Sequence, residues 1–498
     1  MTTGVNWAGL PGSGVERLPE LALLDWGLEL LALLPLIHIA GFYCAYRAIV
    51  YTRTAQGAIA WAVSLIVLPY VSVPLYVVFG RRKFRGYVDA RRAGDLEIHH
   101  VALELAGHEE EFRSRFDQDA PGIRTAENLA KMPFTAGNEA ELLVDGEAIF
   151  DSILAGIAAA ESYVLVQFYI VRDDELGREF ERALVARARA GVRVYFLYDE
   201  IGCYGLPRDY LESLRAAGVQ ANPFLTTRGP NNRFQINFRN HRKIVVVDGR
   251  EAWVGGSNVG DEYMGRDPKI GPWRDTQVRI AGPAVHCVQL AFLEDWYFAT
   301  GSLPKLDWTP RRAEGGQLDV LALPSGPADE QETAGLFFTA AINSARERLW
   351  IASPYFVPDD RVVGALQLAA LRGVDVRILL PSKPDHVLVY LSSFSFLEEL
   401  CDLGVRVYHY QPGFLHQKTM LIDDRASAVG TANLDNRSFR LNFEITAVLL
   451  GADFAREMEA MFETDFAASK EIDARELYRR SSWFQFASKA SRLMAPIQ

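Results

Sequence analysis

Short apolar runs alternate with helix-like segments through the middle of the chain, and this rhythm occurs twice. The strand-like runs, rich in β-branched and aromatic residues, are residues 163–171, 192–198, 349–357 and 374–380. Between each pair of runs lies a helix-like segment that ends at a glycine, Gly191 in the first stretch and Gly373 in the second. Strands that alternate with helices indicate a mixed or parallel sheet covered by helices, so the chain is predicted to be an α/β protein.

Two longer apolar runs lie near the N-terminus. Residues 30–46 and residues 58–79 contain no Asp, Glu, Lys or Arg. A bilayer-spanning helix needs about 20 apolar residues, so the runs predict a transmembrane hairpin, with a buried core helix as the alternative for the second run. Six basic residues follow the second run and only two lie between the runs. The positive-inside rule therefore places the rest of the chain, and the N-terminus, in the cytoplasm.

Composition shifts divide the remainder of the chain. A stretch with Pro310, Gly315 and Gly316 predicts a linker, and residues 483–494 mix aromatic, apolar and basic residues. That mixture is typical of an interfacial helix, and a helix packed on the protein body fits it equally well. The predicted segments are 1–83 (N-terminal segment with the hairpin at about 28–46 and 58–79), 84–135 (juxtamembrane connector), 136–303 (first half), 304–320 (linker), 321–470 (second half) and 471–498 (C-terminal amphipathic segment).

The composition of the 498 residues narrows the classes of function. The formal net charge of −11 argues against a nucleic-acid-binding protein, because such proteins present a basic surface to phosphates. The four cysteines lie far apart and form no CxxC pair, so neither a disulfide framework nor a zinc site is predicted. Reduced thiols fit a cytoplasmic location, and no metal or other cofactor is expected.

The two α/β stretches carry the same short motif. Its members, in the order His, Lys, Asp and Asn, are His241, Lys243, Asp248 and Asn258 in the first copy and His416, Lys418, Asp423 and Asn433 in the second. Every matching pair is 175 residues apart. A single His-x-Lys pair is usually a surface feature, but two copies in one register indicate an internal repeat of chemical groups.

These residue types suit chemistry at a phosphoryl group. Histidine exchanges protons near neutral pH and also acts as a covalent nucleophile. Lysine supplies positive charge and asparagine an amide donor, which stabilise charge on phosphoryl oxygens. One histidine per copy predicts that the halves face each other around a pseudo-two-fold axis, with a nucleophile and a proton donor in one cleft. Asp248 and Asp423 are expected to anchor the ends of their strands.

A histidine in such a role needs a carboxylate to orient its other ring nitrogen. Asp275 lies 34 residues after His241, and Glu444 lies 28 residues after His416. Each carboxylate is thus a candidate supporting acid of its own repeat, and an ordinary salt bridge is the alternative role for both.

The duplicated motif resembles the HKD motif of the phospholipase D superfamily, and further stretches are similar to bacterial cardiolipin synthases. Those stretches are Gly57–Trp61, Phe79–Arg82, Gly255–Tyr263, Trp273–Thr276, Gly413–Lys418, Asn433–Phe439 and Leu441–Glu444. The resemblance begins at about residue 28 and runs almost to the C-terminus. It implies two pseudo-symmetric phospholipase D-like α/β/α halves that share one active-site cleft, preceded by the two-helix transmembrane hairpin.

The resemblance also implies a ping-pong transfer. One histidine attacks the phosphate of phosphatidylglycerol and expels glycerol, which leaves a phosphatidyl-histidine. The other protonates the glycerol and then deprotonates the hydroxyl of a second phosphatidylglycerol, which attacks to give cardiolipin. By analogy His241 is the nucleophile and His416 the acid/base, and the pseudo-symmetry leaves the reverse order open. The groups expected to hold the non-bridging oxygens are Lys243, Lys418, Asn258 and Asn433.

Location and partners are implied in the same way. The resemblance implies a multi-pass protein of the bacterial inner membrane with a cytoplasmic catalytic region. Its implied lipid partners are phosphatidylglycerol and cardiolipin. Whether the second lipid is phosphatidylglycerol or phosphatidylethanolamine stays open, as does a homo-oligomer. A phospholipase D or a phosphatidylserine synthase would use the same site with water or serine as acceptor. An HKD nuclease is disfavoured by the net charge and the hairpin, and a non-catalytic lipid-binding scaffold by two intact motifs.

Overall fold

The computed structural model describes residues 19–52, 54–80, 84, 86–90, 109–115, 121–225, 237–383, 385–472 and 479–495. The chain divides into two compact units, Met1–Arg82 and Lys83–Gln498. The larger unit carries both copies of the His-Lys-Asp motif, so it contains the whole candidate site.

Three helices form the described part of the N-terminal unit: Pro19–Tyr51, Ala55–Val67 and Pro69–Phe79. The prediction of one helix over residues 58–79 is wrong, because the chain breaks at Leu68 (φ −129°, ψ 55°) before Pro69. Proline lacks a backbone N–H and disfavours the α conformation in the residue before it. Among the described residues, no helix combines the length and the apolar character that crossing a membrane requires.

Within the described residues, the larger unit is built around a mixed sheet of 16 strands, with two short two-stranded pairs beside it. Its strands are β1 (Thr135–Val144), β2 (Tyr163–Phe168), β3 (Arg193–Asp199), β4 (Gln220–Phe224), β5 (Arg239–Asn240), β6 (Ile244–Val247), β7 (Glu251–Gly255), β8 (Trp273–Arg274), β9 (Thr276–Ala281), β10 (Leu318–Ser325), β11 (Arg348–Ala352), β12 (Phe356–Val357), β13 (Asp375–Pro381), β14 (Arg406–Tyr410), β15 (Phe414–Leu415), β16 (Thr419–Ile422), β17 (Ala426–Gly430), β18 (Leu434–Asp435), β19 (Asn442–Leu450) and β20 (Ser469–Glu471).

The order of the strands displays the repeat. The first half runs β4-β3-β2-β6-β7-β9-β1 from its edge to the centre, and the second runs β14-β13-β11-β16-β17-β19-β10, with β20 outside β14. In both halves the first three strands of these paths are parallel to one another and the later neighbours are antiparallel. The halves join where β1 pairs antiparallel with β10. The prediction of an α/β fold in two matched halves is confirmed.

Helices cover both faces of this sheet. Those described in the larger unit are Glu109–Phe112, Pro121–Ala130, Asp145–Ala159, Glu175–Arg189, Arg208–Ala216, Val285–Thr300, Thr333–Ser344, Asp360–Leu371, Val387–Cys401, Asn436–Arg440, Ala452–Ala467 and Ser482–Arg492, together with a 3₁₀ turn at Asp261–Met264. On one face, Trp296 and Phe462 from two of these helices pack into a core that both halves share. On the other face each half has a core of its own.

The strands lie close to the predicted positions. The run at 163–171 is a strand over Tyr163–Phe168, whereas the run at 349–357 is divided between Arg348–Ala352 and Phe356–Val357. Strand β10 begins at Leu318, inside the stretch predicted as a linker. The segment boundaries given above stay predictions.

Candidate active site

His241 and His416 stand just before the strands of their motifs, β6 and β16. The His241 N–H donates to the Phe443 carbonyl of the other half at 2.9 Å. The His416 N–H donates to the Arg274 carbonyl, again of the other half, at 2.8 Å. Short strand pairs lead into these bonds, because β5 runs parallel to β19 and β8 runs parallel to β15. Main-chain bonds therefore join the two halves at both histidines.

The supporting carboxylates are exchanged between the halves. His241 Nδ1 lies 2.9 Å from Glu444 Oε2, and His416 Nδ1 lies 2.8 Å from Asp275 Oδ2. The expectation that each carboxylate serves the histidine of its own repeat is wrong. The physical reason is the strand pairing, because each histidine is bonded to the backbone of the other half and meets the acid carried there.

Both carboxylates are completely buried and held by further donors. Glu444 Oε2 accepts from the Thr431 hydroxyl at 2.6 Å, and its Oε1 accepts from Asn442 Nδ2 at 3.1 Å. Asp275 Oδ1 accepts from the Thr276 N–H at 2.8 Å. A buried carboxylate that is bonded on several sides has little freedom to turn, so it fixes the plane of the imidazole beside it.

The two motif lysines are buried next to their histidines. Lys243 Nζ donates to the His241 carbonyl at 2.7 Å, and Lys418 Nζ donates to the His416 carbonyl. Burial lowers the pKa of Lys418 to about 8, and burial together with the charge of Lys418 lowers the pKa of Lys243 well below its ordinary value. An anion that enters the site would raise both pKa values and so favour the charged ammonium groups.

The histidines are neutral at rest. Burial, reinforced by Lys243 and Lys418, lowers the pKa of His241 to about 4, and the same causes lower the pKa of His416 to about 4. Burial acts to raise the pKa of Asp275 and of Glu444, but attraction to the adjacent histidine and lysine outweighs it and lowers both. Each Nδ1–H can thus donate to an ionised carboxylate, which leaves a lone pair on Nε2. Because each lysine acts on both histidines, the two motifs form one electrostatic site.

The two asparagines lie in the same region with different partners. Asn258 Oδ1 accepts from the Ile170 N–H at 3.1 Å, and its Nδ2 donates to the Tyr263 hydroxyl at 3.0 Å. Asn433 is also buried, and its Oδ1 has no hydrogen-bond partner among the residues that the structure describes. Among the described residues, Asn433 Oδ1 thus lacks a protein hydrogen bond of the kind that Asn258 Oδ1 makes. A phosphate-binding role of either asparagine stays a prediction.

Asp248 and Asp423 make the contacts of a structural anchor. The Asp248 carboxylate accepts from three successive backbone N–H groups, those of Glu161, Ser162 and Tyr163, at 2.7–2.8 Å. Asp423 accepts from the corresponding N–H groups of residues 346–348 at 2.8–3.2 Å. Both aspartates have φ of 53°, a left-handed conformation that Asp and Asn tolerate better than other side chains. Each closes the turn after its strand onto the start of the neighbouring strand, β2 or β11.

Replacing either anchor with asparagine is expected to destabilise the fold and spare the chemistry. Asp248→Asn keeps the left-handed backbone but removes the charge and one acceptor oxygen, at a cost of about 1–3 kcal/mol in the free energy of unfolding. Urea denaturation would measure the loss, and activity per folded molecule should stay unchanged. Asp424→Asn is the control, because the Asp424 side chain is 78% exposed. An abolished turnover in a fully folded Asp248→Asn protein would contradict the anchor role.

Several aromatic rings that the sequence reasoning missed line the site. The ring of Tyr169 lies 5.1 Å from that of His241, and Lys243 Nζ lies 5.5 Å from the centre of the Tyr169 ring. The ring of Trp273 lies 5.0 Å from that of His416. Neither aromatic belongs to the repeated motif, so the repeat gave no signal for Tyr169. The available signal for Trp273 was its position, two residues before the candidate acid Asp275. Across the described ranges, no cluster of His, Cys, Asp and Glu has the arrangement to hold a metal ion.

Comparison with known proteins decides the family. Residues 153–268 and 338–466 match the family model described as cardiolipin synthase, PLD-like domain. The chain is 50% identical over 468 residues to cardiolipin synthase A of Pseudomonas entomophila (strain L48), which covers 93% of this chain and 98% of that protein. This chain belongs to the cardiolipin synthase family. Cardiolipin synthase A of Pseudomonas aeruginosa (strain LESB58) is also 50% identical, over 465 residues that cover 93% of this chain and 94% of that protein.

A solved structure shares the fold of this cardiolipin synthase family member. The phosphatidylserine synthase of Haemophilus influenzae Rd KW20 matches with a TM-score of 0.58 and 17% identity, over 76% of this chain and 100% of that chain. At such low identity the likeness concerns the fold alone. The predicted membership of the phospholipase D superfamily is confirmed by the family model and the relatives, as is a phospholipase D-like domain repeated in two parts.

Proposed function

We propose that this chain is a cardiolipin synthase, which transfers the phosphatidyl group of one phosphatidylglycerol to a second and releases glycerol. The observation that carries the proposal is the exchanged pair of His–carboxylate contacts, at 2.9 Å and 2.8 Å, beside two buried lysines. Two oriented imidazoles beside two lysines provide a nucleophile and a proton donor for a phosphodiester. Relatives named cardiolipin synthase A, at 50% identity over 93% of the chain, support this substrate class.

In the first step His241 Nε2 attacks the phosphorus atom of phosphatidylglycerol. The bond from phosphorus to the glycerol oxygen breaks, and that oxygen takes a proton from His416 Nε2. Lys243 and Lys418 stabilise the charge on the non-bridging oxygens. The pKa of His416 is about 4 in the free protein, so the entering phosphodiester anion has to raise it before His416 can donate. Substrate binding thereby prepares the acid, and Asp275 stabilises the imidazolium that forms.

In the second step the glycerol hydroxyl of another phosphatidylglycerol gives its proton to His416 Nε2. Its oxygen attacks phosphorus, the phosphorus–nitrogen bond to His241 breaks, and cardiolipin leaves. His416 ends the second step with a proton, as it began the first, so the two chemical steps together consume no net proton. The order in which the two histidines act follows the family analogy, since their environments are nearly equivalent.

The acceptor distinguishes cardiolipin synthesis from phospholipid hydrolysis or phosphatidylserine synthesis. The test is to incubate purified protein with phosphatidylglycerol alone in detergent and to resolve the products by mass. Cardiolipin and glycerol in equal amounts are expected. Phosphatidic acid as the sole lipid product would mean that water is the acceptor and would overturn the proposal.

We further propose that the N-terminal unit anchors the protein in the bacterial inner membrane, with the catalytic unit in the cytoplasm. Large apolar side chains of its helices are exposed: Ile39, Phe42, Ile59, Val63 and Val67 each have more than half of their surface accessible. Such a surface is unfavourable in water and suits a lipid environment. The basic residues that follow residue 80 in the sequence favour the cytoplasmic orientation.

Deleting residues 1–80 is expected to change how the protein is extracted from membranes. The full chain should require detergent, whereas the truncated chain should be released by alkaline carbonate, because no hydrocarbon-embedded helix remains. Fractionation of both proteins, prepared in parallel, measures the difference. Retention of the truncated protein after carbonate would contradict the N-terminal unit as the integral anchor.

A further inference from the structure

The C-terminal helix Ser482–Arg492 exposes large apolar residues and buries small polar ones. Its small polar residues Ser488 and Ser491 are 4% and 5% exposed, so they face the protein. Three large apolar residues face outward instead: Trp483 is 76% exposed, Phe486 62%, and Leu493, just past the helix end, 81%. Water-soluble helices bury the apolar face. An outward face of this kind indicates an apolar partner outside the body of the protein.

The outward residues form a continuous strip. Positions 483, 486 and 493 are spaced by three and seven residues, which places them on one side of a helix. The rings of Trp483 and Phe486 stack with centroids 5.6 Å apart. We refer to Trp483, Phe486 and Leu493 as the apolar strip.

Contacts with the body of the protein hold the C-terminal helix in place, so the apolar strip has a fixed position. The Phe484 ring packs edge-on against Phe394 at 5.2 Å, and Arg492 Nη1 lies 2.6 Å from Glu399 Oε1. The Arg492 guanidinium also lies 4.3 Å from the centre of the Phe396 ring. These three partners belong to the helix Val387–Cys401 of the second half.

We propose that the apolar strip docks the catalytic unit on the surface of an anionic lipid bilayer. Tryptophan and phenylalanine favour the boundary between headgroups and acyl chains, where an apolar ring meets a wet edge. Exposed basic residues lie beside the strip, namely Arg479, Arg480 and Lys489. They complement anionic headgroups, which is the charge pattern of a helix that lies in the membrane interface.

This docking surface connects to the active site through the helix Val387–Cys401. That helix begins beside Asp385, whose carboxylate accepts a hydrogen bond from the Tyr355 hydroxyl. The charge of Asp385 also acts on Lys418, so this end of the helix is close to the phosphoryl site. Its first residues, Val387 and Leu388, are exposed apolar side chains as well. The helix that holds the C-terminal helix in place therefore begins near the phosphoryl site and carries exposed apolar side chains at that end. The surface contact itself does not depend on the proposed reaction.

Quenching of tryptophan fluorescence tests the contact in the full chain. Wild-type protein and Trp483→Phe protein are reconstituted into vesicles of phosphatidylglycerol and phosphatidylcholine, with or without bromine on the acyl chains. Of the nine tryptophans, Trp483 should contribute a quenched component that is present in the wild type and absent from Trp483→Phe. Equal fractional quenching of the two proteins would overturn the proposal.

A variant that replaces the apolar strip with acidic residues tests the role of the strip in lipid access. Trp483→Glu/Phe486→Glu/Leu493→Glu should transfer phosphatidyl groups at least about threefold more slowly on vesicles, and at the wild-type rate in detergent micelles, where no surface must be bound. The matched control is Leu371→Glu on the helix Asp360–Leu371, since Leu371 is 66% exposed on the same unit. It should lose nothing on vesicles.

Other outcomes separate the alternatives. An equal vesicle rate in the triple variant, or an equal loss in the control, would overturn the proposal. A change from dimer to monomer in the triple variant, measured by light scattering, would overturn it in favour of an interface between copies. Absence of cardiolipin synthesis by the wild type in micelles would count against the proposed function alone, because the quenching experiment does not require turnover.

Discussion

Replacing either His241 or His416 with alanine is expected to lower phosphatidyl transfer by on the order of 10⁴-fold or more, the scale seen when one member of a coupled catalytic set is removed. Both histidines lie in one site, and each reaction step uses both. The measurement is the initial rate of cardiolipin formation from phosphatidylglycerol. His409→Ala is the control, because His409 lies on β14, outside both motifs. Near-normal turnover in either motif variant would contradict the shared site.

The two variants should also differ from each other. With His416→Ala, the nucleophile His241 remains, so a phosphatidyl-enzyme should accumulate slowly and be visible by mass spectrometry of the intact protein. With His241→Ala, no such adduct should form. An adduct on His416 in the His241→Ala protein would reverse the assigned roles and leave the transfer mechanism itself in place.

Replacing the supporting acids with their amides is expected to reduce transfer by about 10²–10⁴-fold, because an amide leaves the imidazole without the charge that fixes its tautomer and stabilises its protonated form. Because the carboxylates are exchanged between the halves, the two amide variants are expected to differ in how much covalent adduct they hold. Glu444→Gln should behave as a weakened His241 variant and form little covalent adduct. Asp275→Asn should behave as a weakened His416 variant and let the adduct persist.

The readout that decides the pairing is the adduct, since both amide variants lose activity whichever histidine they serve. Unfolding midpoints of the two variants, measured alongside, check that each protein remains folded. Accumulation of adduct in Glu444→Gln and its absence in Asp275→Asn would show that each acid serves the histidine of its own repeat, contrary to the geometry.

The sequence predicted much of this arrangement for a physical reason. A duplicated motif in constant register fixes which strands correspond, so the matched halves and the anchoring role of Asp248 and Asp423 could both be predicted. The carboxylate partner of each histidine could not be predicted, because the spacing of residues along one repeat does not show which half supplies the neighbouring strand. The pairing of β5 with β19 and of β8 with β15 decides it, and these strands are two residues long on one side or both.

Two further features depended on tertiary context. The apolar run at 58–79 carries Pro69 and Pro74, and hydrophobicity alone did not locate the break that Pro69 imposes at Leu68. The C-terminal segment was compatible with an interfacial helix or with a packed one. Ser488 and Ser491 face the body while Trp483 and Phe486 face outward, a division that composition could not assign to one side.

The exchange of carboxylates between the halves has a consequence for biosynthesis. A ribosome completes the first half well before Glu444 is made, so during that interval His241 lacks its orienting acid and its backbone partner Phe443. The nascent chain therefore holds an imidazole without its orienting carboxylate. The complete site forms only when the second half has folded against the first.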